Sequence, residues 1–155
     1  AGRWQDTLSF RDAGAAHTFD FIDAGLPTTV CPPDEYRHAI RDLLARMAAT
    51  DATVAVIEAG ASPLEPYNGG TLVEMLGDHV KFTILSASDP YAVVGIQEGW
   101  KRNFDLVAGP TANTTAAVAL VHALAGLPAL DLLDVDTHAS LRQRLEAAIG
   151  SRGVS

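Results

Sequence analysis

Along the chain, apolar runs with the character of strands alternate with segments whose apolar residues recur at helical spacing. Residues 17–25, "HTFDFIDAG", read as a strand ending in Asp23, Ala24 and Gly25. From 34 to 50, Tyr36, Ile40, Leu43, Leu44 and Met47 fall every three or four positions with charges opposite them. That spacing predicts an amphipathic helix. Pro33 and Asp34 suit its first turn, since proline lacks an N–H that would go unpaired there and a carboxylate complements the helix dipole. "TVAVIEAG" (53–60) and "VKFTILSAS" (80–88) are continuous runs rich in β-branched residues, the pattern of strands buried on both faces.

Further on, "TLVEMLGD" (71–78) and "PYAVVGIQEGWKRN" (90–103) predict short helices, and "FDLVAG" (104–109) a short strand. "TANTTAAVALVHALAG" (111–126) is helical and closed by Gly126. "ALDLLDV" (129–135) is strand-like, and residues 136–150 form a last amphipathic helix with Leu141, Leu145 and Ile149 inward. Strands separated by helices of this length imply βαβ crossovers and a mostly parallel sheet covered on both sides. With no Gly/Ser linker, low-complexity tract or internal repeat, residues 1–155 read as a single α/β domain.

Composition narrows the partners. The chain has 155 residues, 48% hydrophobic and 19% charged, enough for a sizeable core. Its net charge is −8 and its only lysines are Lys81 and Lys101, so it lacks the basic patch that nucleic acid or an anionic membrane requires. The lone Cys31 rules out an intrachain disulfide and fits a reducing cytoplasm. No apolar run reaches the length of a membrane span.

Chemistry-bearing residues collect at the ends of the predicted strands: Asp20 and Asp23, then Glu58, then Ser86, Ser88 and Asp89, then residues 109–113. Ligands of open parallel sheets bind outside the carboxyl ends of the strands, although Ser, Asp and Gly are also ordinary capping residues there. Glu58 stands at the tip of an apolar run beside Gly60, held to bind Mg²⁺ directly or through water. Its competing role is to cap the next helix or to pair with an arginine. In "ASPLEPYNGG" (61–70), Pro63 and Pro66 fix the backbone while Asn68, Gly69 and Gly70 allow left-handed geometry. That loop shapes a ligand site, with Ser62, Pro63, Tyr67 and Asn68 as substrate-loop candidates, or it simply turns a corner.

Gly109, Thr111, Asn113, Thr114 and Thr115 surround a helix start, where free N–H groups hold an anion or a polar ring edge, or where the side chains merely cap. Arg3 and Arg11, near Trp4 and Phe10, are candidates to face a phosphate, or belong to a solvated helix face. The histidines are scattered, and the chain holds no HExxH, GxSxG or GxGxxG, which counts against zinc, serine-nucleophile and dinucleotide chemistry.

"VIEAGASPLEP" resembles the strand-to-loop segment of dethiobiotin synthetase and of related P-loop amide ligases and cobyrinic-acid synthases. "FDLVAGPTANTTAA" is similar to the later strand and asparagine-bearing turn of that family. "GRWQDTLSFRDAGA" and "FDFIDAGLPTTV" are similar to segments of uncharacterised bacterial proteins of the same P-loop type. The resemblance implies a three-layer αβα fold with a mostly parallel sheet, in which Glu58 helps to hold Mg²⁺ with the nucleotide phosphates. It further implies Asp20 and Asp23 near metal or substrate, and Asn113, with Gly109 and Thr111, toward the base of ATP or GTP. It also implies a possible homodimer acting on a small-molecule ligand.

The chain departs from the family at one point. It contains no GxxxxGK[ST], and neither Lys81 nor Lys101 follows a glycine-rich loop. The expectation is therefore the C-terminal part of a longer P-loop protein, inactive alone, with the phosphate-gripping segment upstream of Ala1. The alternatives are a non-enzymatic α/β binding or regulatory module and, more distantly, a Rossmann-type oxidoreductase.

Overall fold

A computed structural model of the chain describes residues 4–150; Arg3 lies outside them. The described residues are mixed α/β, with six α-helices and a small parallel sheet of two strands. Contacts divide the chain into two compact units, Ala1–Gly77 and Asp78–Ser155.

The first unit begins with helix α1 (Trp4–Asp12) and is organised on α2 (Pro33–Ala48) and α3 (Gly69–Leu76). α2 buries Tyr36, Ile40 and Leu43 on the face its periodicity defines. These pack with Leu26 and Leu72, and Phe19, Phe21, Leu44, Met47 and Met75 close around them. Burial pushes the Tyr36 phenol up from its usual value. Cys31 is a free, half-buried thiol beside this core.

Two expected strands of this unit are not strands. Within 17–25 the chain turns instead, as a 3-10 helix over Phe21–Ala24. Asp20 accepts the Phe21 N–H at 2.6 Å and Asp23 accepts the Asp20 N–H at 2.8 Å, a reciprocal cap that offers the backbone a local alternative to a ladder. Residues 53–60 run without regular secondary structure and, among the described residues, without a partner strand. The burial expected of them is absent: Val56 is 77% exposed, and Val54 and Ile57 are exposed as well. β-branched composition favours a pleated, half-buried setting, but only ladder bonds and packing make it a strand.

The second unit is a βαβ unit extended by two helices. β1 (Ile84–Ser86) and β2 (Leu106–Ala108) pair in parallel, Ile84 with Leu106 and Ser86 with Ala108, joined by α4 (Pro90–Trp100). Ala129 makes a further parallel bridge to Val107, so β2 is flanked on both sides. Its residues are accordingly buried on both faces, as central parallel strands are. The rest of "ALDLLDV" turns away, because Asp131 and Asp134 side chains accept the N–H groups of Leu133 and Asp136.

α4 and α5 (Thr115–Ala125) cover the sheet around Val93, Phe104, Val107, Ala112, Val121 and Leu127. α5 ends where expected, at Gly126 with φ 67°, a left-handed cap that glycine adopts without a Cβ clash. In α6 (His138–Gly150), Leu141 and Leu145 are half-buried, whereas Ile149, expected inward, is exposed. Among the described residues no helix is long and apolar enough to cross a membrane.

This burial contrast has a measurable consequence. Leu106→Ala, at 0% exposure, is expected to cost about 2–5 kcal/mol of unfolding free energy in a denaturant titration. Val56→Ala should stay within about 0.5 kcal/mol of wild type; an equal loss from both would contradict the described packing.

Candidate functional site

The carboxyl ends of β1 and β2 meet in the second unit through main-chain contacts. After β1, Ala87 donates its N–H to Ala108 O at 3.1 Å and accepts the Thr111 N–H at 3.1 Å. The turn after β2 thus lies against the turn after β1. Gly109 makes this possible. A Cβ there would lie 2.7 Å from Ser86 Oγ and 3.0 Å from Ala87 O, and its φ of 88° with ψ of −165° belongs to a region essentially restricted to glycine. The serine hydroxyl could rotate away, but the Ala87 carbonyl could not.

The two helices that leave this edge are both capped by their own side chains. Asp89 Oδ1 accepts the N–H groups of Tyr91 and Ala92, both at 2.9 Å, and Oδ2 accepts the Ser88 hydroxyl at 2.8 Å. The Ala92 N–H above all, with the Ser88 hydroxyl, holds the Asp89 carboxyl below the usual carboxylate range. Thr114 caps α5 by accepting the Ala117 N–H at 3.1 Å. The negative Asp89 at the start of α4 makes that end a poor anion site.

Between these caps, three candidates from the sequence stand close along one turn. Thr111 is 1% exposed, and its hydroxyl has no hydrogen-bond partner among the described residues. An orphaned buried hydroxyl costs free energy unless something pairs with it. Asn113 follows the short 3-10 helix Pro110–Ala112 and is exposed. Gly109, Thr111 and Asn113 are therefore brought together, at a backbone-lined edge with a free amide beside it.

The remaining candidates lie in the first unit. The carboxylates of Asp20 and Asp23 are engaged in the reciprocal cap described above. Glu58 is exposed, and its carboxylate has no hydrogen-bond or ion-pair partner among the described residues. Glu58, Asp23 and Asp20 are not gathered into one set; no group of three His, Cys, Asp or Glu able to hold a metal occurs among the described residues. Mg²⁺ is commonly held by one or two carboxylates together with substrate phosphates and several waters, and Glu58 supplies one such carboxylate.

The loop at 61–70 is built largely on itself. Glu65 accepts the Ser62 N–H at 2.9 Å, Ser62 Oγ accepts the Leu64 N–H, and Pro63 is half-buried between them. Asn68 is a structural fastening. Its Nδ2 donates to Thr29 O at 2.8 Å and to Cys31 O at 2.9 Å, while Oδ1 accepts the Thr71 hydroxyl. With φ 59°, it also supplies the left-handed turn that starts α3. That geometry leaves its amide no free donor for a substrate. Tyr67 projects, 41% exposed.

Sequence reasoning did not single out the polar stripe of α2. A depression of about 480 Å³ in the first unit is lined by Asp23, Ala24, His38, Ala39, Asp42 and Arg46. Arg46 donates to the Asp23 carbonyl. His38, Asp42 and Arg46 recur every four residues, a helical period legible beside the apolar one. Arg11 is exposed near the end of α1.

The chain matches no family model, no curated protein and no solved structure.

The assignment of Asn68 to structure is testable. Asn68→Asp would set a carboxylate against the carbonyls of Thr29 and Cys31. It is expected to lower unfolding free energy by about 1–3 kcal/mol, read from denaturant midpoints; unchanged stability would return Asn68 to the ligand candidates.

Proposed function

We propose that the chain belongs to a Mg²⁺-dependent nucleotide-binding protein similar to dethiobiotin synthetase. On this reading the complete fold is a three-layer αβα arrangement of the P-loop type. The observation that carries the reading is the β1–β2 carboxyl edge, where Gly109 leaves bare backbone, Thr111 keeps an unpartnered buried hydroxyl, and Asn113 presents a free amide. This is the position at which parallel sheets receive ligands, and it falls on the segment that resembles the family's base-facing turn.

Roles follow from the chemistry of each group. Asn113 offers both a donor and an acceptor, the complement of a purine edge. Glu58 would hold Mg²⁺ through a free hard oxygen, and the ion would supply charge neutralisation for the phosphates. Asp20 and Asp23 retain lone pairs beyond their capping bonds, and Asp23 lines a polar depression with His38 and Asp42. Catalysis in this class of protein is positioning and charge neutralisation, with no covalent step on the protein. The sequence contains no lysine loop for the phosphates, so the 155-residue chain alone lacks turnover.

A second reading, a non-enzymatic α/β module for a small ligand, is favoured by the local engagement of Asp20 and Asp23 as a cap.

The test is calorimetric titration of the full-length protein with ATP or GTP, with and without Mg²⁺. Asn113→Ala is expected to weaken nucleotide binding in either condition, while Glu58→Gln should lower only the Mg²⁺-dependent affinity, by about 10-fold or more. Mg²⁺-dependent binding unchanged by Glu58→Gln would remove the metal role. No nucleotide binding at all would favour the second reading.

A further inference from the structure

The segment after the Ala129 bridge presents two apolar side chains almost wholly to solvent. Leu133 is 94% exposed and Val135 is 72% exposed, although the backbone that carries them is well bonded. Asp131 accepts the Leu133 N–H, Asp134 accepts the Asp136 N–H, and the Thr137 hydroxyl donates to the carbonyls of Asp131 at 2.7 Å and Asp134 at 2.8 Å. The His138 ring bonds to Leu132 O, and Leu130 N–H bonds to Val107 O of β2. The display of Leu133 and Val135 is therefore fixed at both ends by the fold.

Exposed apolar side chains held in one place by a pre-formed loop favour association, because the ordering entropy of binding is already met in the free protein. Here they are interleaved with Asp131, Asp134 and Asp136, a rim of one sign. That rim selects the occupant. Three carboxylates repel nucleic acid and an anionic lipid surface. A second copy of this chain, at net charge −8, is also disfavoured. We propose that the loop over residues 131–137 is a docking element for another protein, whose apolar pocket, rimmed by Lys or Arg, receives Leu133 and Val135. The apolar pair supplies the affinity, and the acids supply orientation and a salt-sensitive association rate.

The test replaces Leu133 with a photo-crosslinking amino acid in the full-length protein in its native host cells, with Tyr91, 72% exposed, as the control position. A protein that crosslinks at 133 and not at 91 is then purified and titrated. Leu133→Ser is expected to weaken its binding by about 10-fold or more. Asp131→Asn/Asp134→Asn/Asp136→Asn, which keeps the capping oxygens, should slow association and flatten its salt dependence. Circular dichroism of each variant should match wild type, since Leu133, Asp134 and Asp136 are exposed and the half-buried Asp131 keeps an acceptor oxygen as Asn. Crosslinking only to a second copy or to lipid, no adduct above the control, or affinity unchanged by Leu133→Ser would each overturn the proposal.

Discussion

The second unit depends on one close approach of backbone to backbone. Gly109 brings the turn after β2 within bonding distance of the turn after β1, so that Ala87 both donates to Ala108 and accepts from Thr111. No L-residue with a side chain combines that φ with that space. From this contact follow the burial of Thr111 and Ala112, the start of α5 at Thr115, and the placing of Asn113 at the surface. The β1–β2 carboxyl edge is therefore a consequence of packing, and its polar groups are held by main-chain bonds that do not rely on flexible side chains.

A division runs through the polar residues of both units. Some are engaged by their own backbone: Asp20 and Asp23 in a reciprocal cap, Asp89 over the first turn of α4, Asn68 across to Thr29 and Cys31. Others are left with capacity: the exposed Glu58 carboxylate and the orphaned hydroxyl of Thr111. Residue type does not separate the two groups, since the Asn68 amide is engaged whereas the exposed Asn113 amide is not. Only the hydrogen-bond partners do.

That is also why the sequence was partly legible. Helices announced themselves, because an apolar period of 3.6 with a capping residue is local information: α2, α4 and α5 lie close to the predicted stretches 34–50, 90–103 and 111–126, with α5 starting only at Thr115 after the 3-10 turn Pro110–Ala112. Strands did not. The runs at 17–25 and 53–60 are as β-branched or aromatic as the one at 104–109, yet only the last has neighbours to bond with. Strand identity resides in the partner, which composition cannot supply. The same limit hid the structural duty of Asn68, whose acceptors lie 37 and 39 residues away. Gly109 and Asn113 could be marked from strand-end position alone, because a βαβ unit sends its turns to one edge whatever their residues.

The approach at Gly109 builds the edge where the turns after β1 and β2 meet. Amide hydrogen exchange of Gly109→Ala, read together with its denaturant midpoint, tests it most directly. Adding a methyl group at φ 88° against the Ala87 carbonyl should cost about 1–3 kcal/mol, with exchange accelerated at the Ala87 and Thr111 amides before the rest of the unit. Wild-type stability with unchanged protection at those two amides would contradict the account.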